Sequence, residues 1–308
     1  MELSKFVGSL VGTGIGDSLG AGSEGFFVRH EVREIGGRYT DDTHMTIGVA
    51  ESLIESKGFD GEHMIKTFIK NYEAEPWRGY GPGPPRVFRL IKQGESWHKA
   101  AEKLYSGGSF GNGSAMRVAP IGCFYHDDPV LLKEITYKSS RLTHSHELGM
   151  EGAALQAYTI ALAINTKDSI DRYVFLEELE TFIKADVYKG KIKKIRKLLS
   201  VKADRSAVIK DLGNTVEAFN SVPSAIYSFL ANPNFEQAVI YAVSLGGDTD
   251  TIGAMTGAIA GAYWGVEAIP KRWRNKLENG KFIEKLAEKL WQVKRRKEMK
   301  RKDFGRRL

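Results

Sequence analysis

Apolar residues recur at three- and four-residue steps along most of this 308-residue chain, and period-two alternation appears almost nowhere. The spacing predicts helices over Thr43–Ser56, Gly61–Tyr72, Arg86–Gln93, Trp97–Leu104, Pro129–Ser140, Glu147–Ile164, Asp171–Ile183, Lys189–Leu199, Val222–Leu230, Phe235–Ser244, Thr251–Trp264 and Phe282–Val293. A helix marked by Phe6, Val7, Leu10 and Val11 precedes them and leads into the glycine-rich Gly12–Gly25. In Thr251–Trp264 the small residues Gly253, Ala254, Gly257, Ala258 and Gly261 let neighbouring helices approach closely, which suits a central position in a bundle. Phe26–Ile35 reads as a short strand or extended loop, and Pro76–Pro85, with four prolines and three glycines, as an ordered surface loop. The expected fold class is all-α: one compact orthogonal multi-helix bundle of about a dozen helices, residues 1–293, followed by a basic C-terminal tail, residues 294–308.

Composition sharpens this picture in two places. The net charge of +7 comes from 45 basic and 38 acidic residues, and the tail alone holds nine basic against two acidic. The body is therefore neutral, and no nucleic acid is expected as a partner beyond weak association through the tail. The single cysteine, Cys123, excludes internal disulfides and thiolate metal clusters and fits a reducing compartment. Met1–Lys5 carries no secretory pattern, and Ile252–Val266 falls short of the roughly twenty apolar residues a membrane helix needs. No membrane association is expected, and the cytoplasm is the expected location.

Chemistry concentrates at two predicted helix starts. Gly246-Gly247-Asp248-Thr249-Asp250-Thr251 precedes an apolar run, and Thr40-Asp41-Asp42-Thr43 repeats the pattern some two hundred residues earlier. Asp and Thr are ordinary N-caps, but one cap needs one side chain, and spare buried carboxylates require a cation. Folded together, Asp41, Asp42, Asp248 and Asp250 would balance two divalent ions. All-oxygen donors favour Mg²⁺ or Mn²⁺ before Ca²⁺ and argue against zinc. Gly12–Gly25 lacks a Gly-Lys-Ser/Thr ending and a preceding strand, so it is no phosphate loop; it reads as close helix packing and a turn presenting Asp17 and Glu24. Asp17 is expected to hold that loop through side-chain-to-backbone bonds. The backbone N–H groups of Gly111-Asn112-Gly113-Ser114 can face an anion such as a pyrophosphate.

These blocks resemble the ADP-ribosylglycohydrolase family. The two acidic clusters look like its metal-binding signatures, and the likeness extends, in family order, through Gly14-Ile15-Gly16-Asp17-Ser18-Leu19-Gly20 with Glu24, Gly111-Asn112-Gly113-Ser114-Ala115-Met116-Arg117 and Leu142-Thr143-His144. The resemblance implies an all-α fold around a central binuclear magnesium or manganese site. It implies Thr40, Asp41, Asp42, Asp248, Asp250 and Thr251 as ligands, with Asp250 bridging and Thr249 left to packing. Glu24 corresponds to the family's mobile glutamate, and Glu24, Asp41 and Asp250 are the implied catalytic carboxylates. Phe110, Gly111, Asn112, Gly113, Ser114 and His144 are the implied substrate contacts, although Phe110 also suits a core position and His144 a helix cap. The implied activity is metal-dependent hydrolysis of the bond between the distal ribose of ADP-ribose and an acceptor, either a modified protein side chain or a small ADP-ribose conjugate. Hydrolysis of another ribosyl or nucleoside conjugate, and a non-catalytic structural role like that of the eye-lens crystallins sharing the fold, stand as alternatives.

Overall fold

Side-chain caps start many of the helices. Thr40, Asp60, Asp128, His146, Asp171, Asp204 and Asn234 each accept a backbone N–H from the first turn that follows. The computed structural model describes residues 2–25 and 32–305, and the side chains of 2–25 and 32–299. Within them the order is α1 (Glu2–Gly20), α2 (Asp41–Glu55), α3 (Gly61–Ala74), α4 (Gly83–Lys92), α5 (Ala100–Leu104), α6 (Gly113–Met116), α7 (Ala119–Phe124), α8 (Pro129–Ser140) and α9 (Glu147–Asn165). The second half holds α10 (Arg172–Phe182), α11 (Asp186–Val201), α12 (Arg205–Leu212), α13 (Ala218–Ala231), α14 (Phe235–Val243), α15 (Thr249–Trp264), α16 (Lys271–Lys276) and α17 (Gly280–Gly305). Among the described residues there is no strand, only an isolated bridge between Gly111 and Glu217. The expected all-α class holds. The helices absent from the periodicity, α6, α7, α12 and α16, span one or two turns, too few to repeat an apolar face.

The core is built around α1, α9 and α15, which are buried on almost every face. The tightest contact is between α1 and α15. They run antiparallel, with glycines meeting at four-residue steps: Gly8 against Gly261, Gly12 against Gly257, Gly16 against Gly253, and Gly20 against Thr249. A Cβ at Gly12 would lie 2.2 Å from the Gly257 carbonyl oxygen, and one at Gly257 2.0 Å from that of Gly12. The glycine-rich stretch is thus largely helix, and Asp17 lies within α1 rather than on a turn. α15 also packs on α14, α13 and α9, and α17 closes the bundle over α1 and α2.

Two other expectations change. A third is met in part: of the segment expected as strand or extended loop, residues 26–31 lie outside the described residues, and 32–35 are loop. The proline-rich loop ends earlier than expected, because Pro84 and Pro85 sit in the first turn of α4, where a missing N–H leaves no hydrogen bond unmade. The last helix does not stop where its apolar pattern fades at Val293 but runs to Gly305. Lys294 is only 5% exposed and pairs with Asp127 and, at 3.5 Å, with Glu298, so a lysine counted with the tail belongs to the packed body.

Two substitutions test this account. Gly257→Ala forces backbone apart and should lower stability by about 1–3 kcal/mol or more, read as a fall of several degrees in the melting temperature. Gly190→Ala, in the interior of α11 with open space at its Cβ, should instead raise stability by about 0.5–1 kcal/mol. Truncation after Val293 removes the Lys294 pair and should cost melting temperature, whereas truncation after Met299 should not.

Candidate active site

The N-terminus of α2 is organised from below by Asp17. This carboxylate is fully buried in α1 and accepts the backbone N–H groups of Thr40 and Thr43, each at 3.0 Å, and the hydroxyls of Thr40 at 2.9 Å and Thr43 at 2.5 Å. Asp17 therefore holds the start of α2, not its own loop. Burial pushes its pKa up to about 6, against the opposing pull of these hydrogen bonds. Thr40 caps α2, and Asp41 and Asp42 occupy the first turn.

The N-terminus of α15 meets it from the other half of the chain. Gly247 adopts φ +73° and sits so close to Asn214 that a Cβ would lie 2.1 Å from the Asn214 carbonyl oxygen; only glycine fits there. The Asp248 N–H donates to that same oxygen at 2.9 Å, and the Asp248 carboxylate receives the Asn112 side-chain amide at 2.5 Å. Asp250 accepts the Thr251 N–H at 2.8 Å, and the Thr249 hydroxyl donates to the Gly20 carbonyl at 2.8 Å. Past a turn of 3-10 helix, Ala21–Ser23, Gly25 N–H bonds to the Gly247 carbonyl at 2.9 Å and brings Glu24 to the cluster. Oxygens of Glu24, Asp248 and Asp250 all lie within 4.8 Å of one another.

The electrostatics are those of crowded, desolvated carboxylates. Asp42, Asp248 and Asp250 are 1%, 7% and 5% exposed, while Glu24 is open to solvent. Burial, then Asp17, pushes Asp41 up to about 7. Burial, then Asp250, holds Asp42 well above the usual carboxylate range. Asp250 reaches about 9 through burial and then Asp248. Burial also raises Asp248, against the pull of Asn112, and raises Glu24, with Asp248 adding to the effect. Among the described residues, no ion pair to lysine or arginine reaches Asp41, Asp42, Asp248 or Asp250. One oxygen of Asp42, Oδ1, is buried with no hydrogen-bond partner.

These carboxylates line a cavity of about 330 Å³. Gly111, Asn112, Gly113 and His144 also line it, as do Gly79 and Gly81–Pro84. Arg78 anchors the start of that segment, donating to Glu278 at 2.7 and 3.0 Å and to the Tyr39 carbonyl at 3.1 Å. The 79–84 segment and three lining residues, Tyr105, Ser109 and Val216, were not anticipated; the glycines and prolines of 79–85 were the signal, since a lone tyrosine, serine or valine carries none. Within the glycine turn, Asn112 N–H donates to Val216 and Gly111 N–H to Ser109, and Ser114 is buried and not among the cavity-lining residues, which narrows any anion cradle to Gly113. Phe110 is not among the cavity-lining residues; it is 44% exposed and packs on His146 and Phe219. His144 is buried against Gly113, and burial followed by the charge of Arg117 lowers it to about 3, so it is neutral. The helix-capping role falls to His146, which accepts the Leu148 N–H at 3.1 Å.

Comparison with known proteins bears directly on this arrangement. Residues 2–299 match a family model described as ADP-ribosylglycohydrolase. The ADP-ribosylhydrolase ARH3 of Gallus gallus is 36% identical over 346 residues, covering 94% of this chain and 93% of that protein. An uncharacterized protein of Archaeoglobus fulgidus is 32% identical over 308 residues, covering 94% and 96%. Among solved structures, a chain titled ADP-ribosylglycohydrolase-related protein complex superposes with a TM-score of 0.78 at 26% identity, covering 95% of this chain and 99% of the other. A match of that extent, with relatives this similar over nearly their whole lengths, places the chain in the ADP-ribosylglycohydrolase family.

Proposed function

We propose that the chain is a metal-dependent hydrolase that cleaves the glycosidic bond between the distal ribose of ADP-ribose and an acceptor, reversing ADP-ribosylation of a protein side chain or small conjugate. The observation that carries this reading is the meeting of two remote helix starts at one cavity, with Asp42, Asp248 and Asp250 buried and Asp41 half-buried there, without a basic partner among the described residues.

Such a cluster is costly unless a cation joins it. The donor set is hard oxygen throughout, which suits two Mg²⁺ or Mn²⁺. Asp42 Oδ1, buried and unpartnered, is a vacant ligand atom. The Thr40 hydroxyl lies 2.9 Å from Asp17 and 3.2 Å from Asp42 Oδ2 and accepts the Asp42 N–H at 3.4 Å, which sets its oxygen at the edge of the cluster. Thr40, Asp41, Asp42, Asp248, Asp250 and Thr251 would hold the ions. When bound, the pair supplies positive charge and a water of lowered pKa.

The remaining work falls to the chain itself. Glu24 stands at the open edge of the cluster with a raised pKa, suited to position the attacking water or move a proton as the C1–acceptor bond breaks through an oxocarbenium-like state. Asn112 fixes Asp248 while its neighbour Gly113, which lines the cavity, offers an N–H group to an anionic part of the substrate. The acceptor is decided by incubation with ADP-ribosyl-arginine, ADP-ribosyl-serine and O-acetyl-ADP-ribose, each with Mg²⁺, Mn²⁺ or chelator. Metal-dependent release of ADP-ribose from at least one supports the reading, and release from none rejects it.

Glu24→Gln is nearly isosteric and should reduce turnover by about a hundredfold or more while ADP-ribose affinity changes little. A loss of melting temperature with unchanged turnover per folded molecule would make Glu24 a tether instead.

Asp250→Asn leaves three carboxylates to face two divalent ions. In millimolar Mg²⁺ or Mn²⁺ the wild type should melt several degrees higher than in EDTA, because an ion that binds only the folded state stabilises it by mass action. The variant should lose most of that gain and most activity, yet in EDTA it should be at least as stable as wild type, since like-charge repulsion is relieved. A wild type indifferent to chelator and metal would remove the metal site.

A further inference from the structure

Behind the cavity lining lies a buried polar chain that the proposed reaction does not yet use. Arg117, at the end of the Gly-Asn-Gly-Ser-Ala-Met-Arg block, is 1% exposed. Its guanidinium lies over the Phe68 ring at 4.9 Å and donates to the Ser139 carbonyl at 3.1 Å and to Thr143 Oγ1 at 2.8 Å. Thr143, itself 3% exposed, lies 2.8 Å from His144 Nδ1. The hydroxyl has no further partner among the described residues.

Donor and acceptor roles along this chain follow from what each group carries. A guanidinium has only donors, so Thr143 Oγ1 must accept from Arg117. The threonine then has one proton to give, and the one acceptor in reach among the described residues is His144 Nδ1. Were Nδ1 to carry a proton instead, Thr143, which is 3% exposed at the cavity lining, would accept twice and its own O–H would have no acceptor among the described residues, at a cost of about 1–3 kcal/mol. The proton of the neutral imidazole therefore resides on Nε2. That atom lines up with the glycine turn: a Cβ at Gly113 would lie 2.9 Å from it and one at Gly111 3.4 Å. Nε2 has no protein acceptor among the described residues, and it is not sealed from solvent, since it is absent from the buried atoms without a partner.

We propose that Arg117 and Thr143 are positioning residues that lock His144 in the Nε2–H tautomer, so that the histidine presents a fixed hydrogen-bond donor, beside Gly113, to an acceptor oxygen of the bound ligand. This rests on the reading of the cavity as an ADP-ribose site for the identity of the ligand, but not for the tautomer. The burial that keeps His144 uncharged serves the same end, because a histidine that titrated would lose its link to Thr143. Glycine at 113 is part of the device, as a Cβ there would meet His144 Cε1 at 2.6 Å and displace the ring.

The experiment has two readouts. In ligand-free protein, imidazole ¹⁵N and ¹³C shifts report the tautomer of His144, assigned with a His144→Gln control. Wild type and Thr143→Ser should show Nε2–H, and Thr143→Val, which keeps the shape and removes the hydroxyl, should show a mixed or inverted tautomer. In parallel, ADP-ribose is titrated calorimetrically. Thr143→Val should bind about tenfold more weakly, a difference of about 1.4 kcal/mol, and Thr143→Ser should restore affinity. A melting-temperature loss in Thr143→Val with unchanged tautomer and affinity would make the chain merely structural and overturn the proposal, as would an Nδ1–H signal in the wild type. If wild type fails to bind ADP-ribose while the tautomer responds to Thr143 as expected, the functional reading fails and the relay stands.

Discussion

The whole structure depends on backbone meeting backbone along the α1–α15 seam. Four contacts at four-residue steps, from Gly8–Gly261 to Gly20–Thr249, bring the two helices together without intervening side chains. The antiparallel sense has a chemical consequence, because the last residue of α1 lands beside the first turn of α15. Asp17 then lies under Thr40 and Thr43, Glu24 follows within a few residues of the α15 N-terminus, and the Thr249 hydroxyl ties the two ends at the Gly20 carbonyl. Side chains at these glycines would wedge the helices apart, and the carboxylates could not converge.

Convergence has an energetic cost that the fold distributes. Each buried carboxylate receives what neutral donors can give: backbone and hydroxyl bonds for Asp17, an amide for Asp248, one backbone N–H for Asp250. These fall short of neutralising the cluster, which is why Asp41, Asp42 and Asp250 are all displaced upward from ordinary carboxylate behaviour. Strain of this kind is expected where function overrides stability, and perturbed groups gather at reactive sites. The cavity is polar. Carboxylates crowd its lining, and Gly113 and neutral His144 add donors to it, with a guanidinium shielded by Phe68 two hydrogen bonds behind the histidine.

Much of this was legible in the sequence, for reasons that differ by element. Long helices such as α9 and α15 declared themselves through repeated apolar or small residues, and no helix among the described residues is long and apolar enough to cross a membrane. The acidic pairs were visible because unusual density at a helix start exceeds what capping needs. Short helices such as α6 and α16 were not, since one turn cannot repeat a face. The run past Val293 was hidden because charge signals solvent, whereas Lys294 is folded into a pair with Asp127 that lies 167 residues away in the chain.

By itself, then, the sequence determined the helical class, the two acidic helix starts and the residue types capable of the chemistry, since these rest on local spacing and on what each side chain can donate or accept. Tertiary structure alone decided that Asp17 braces Thr40 rather than its own turn and that Asn112 holds Asp248 rather than an anion. It also decided that Phe110 is not among the cavity-lining residues, that Gly79 and Gly81–Pro84 line it, and that Arg117 reaches His144 through Thr143. Each of these is a contact between residues whose meeting depends on how helices cross, and the crossing is set by the glycine seam, whose register no single segment contains.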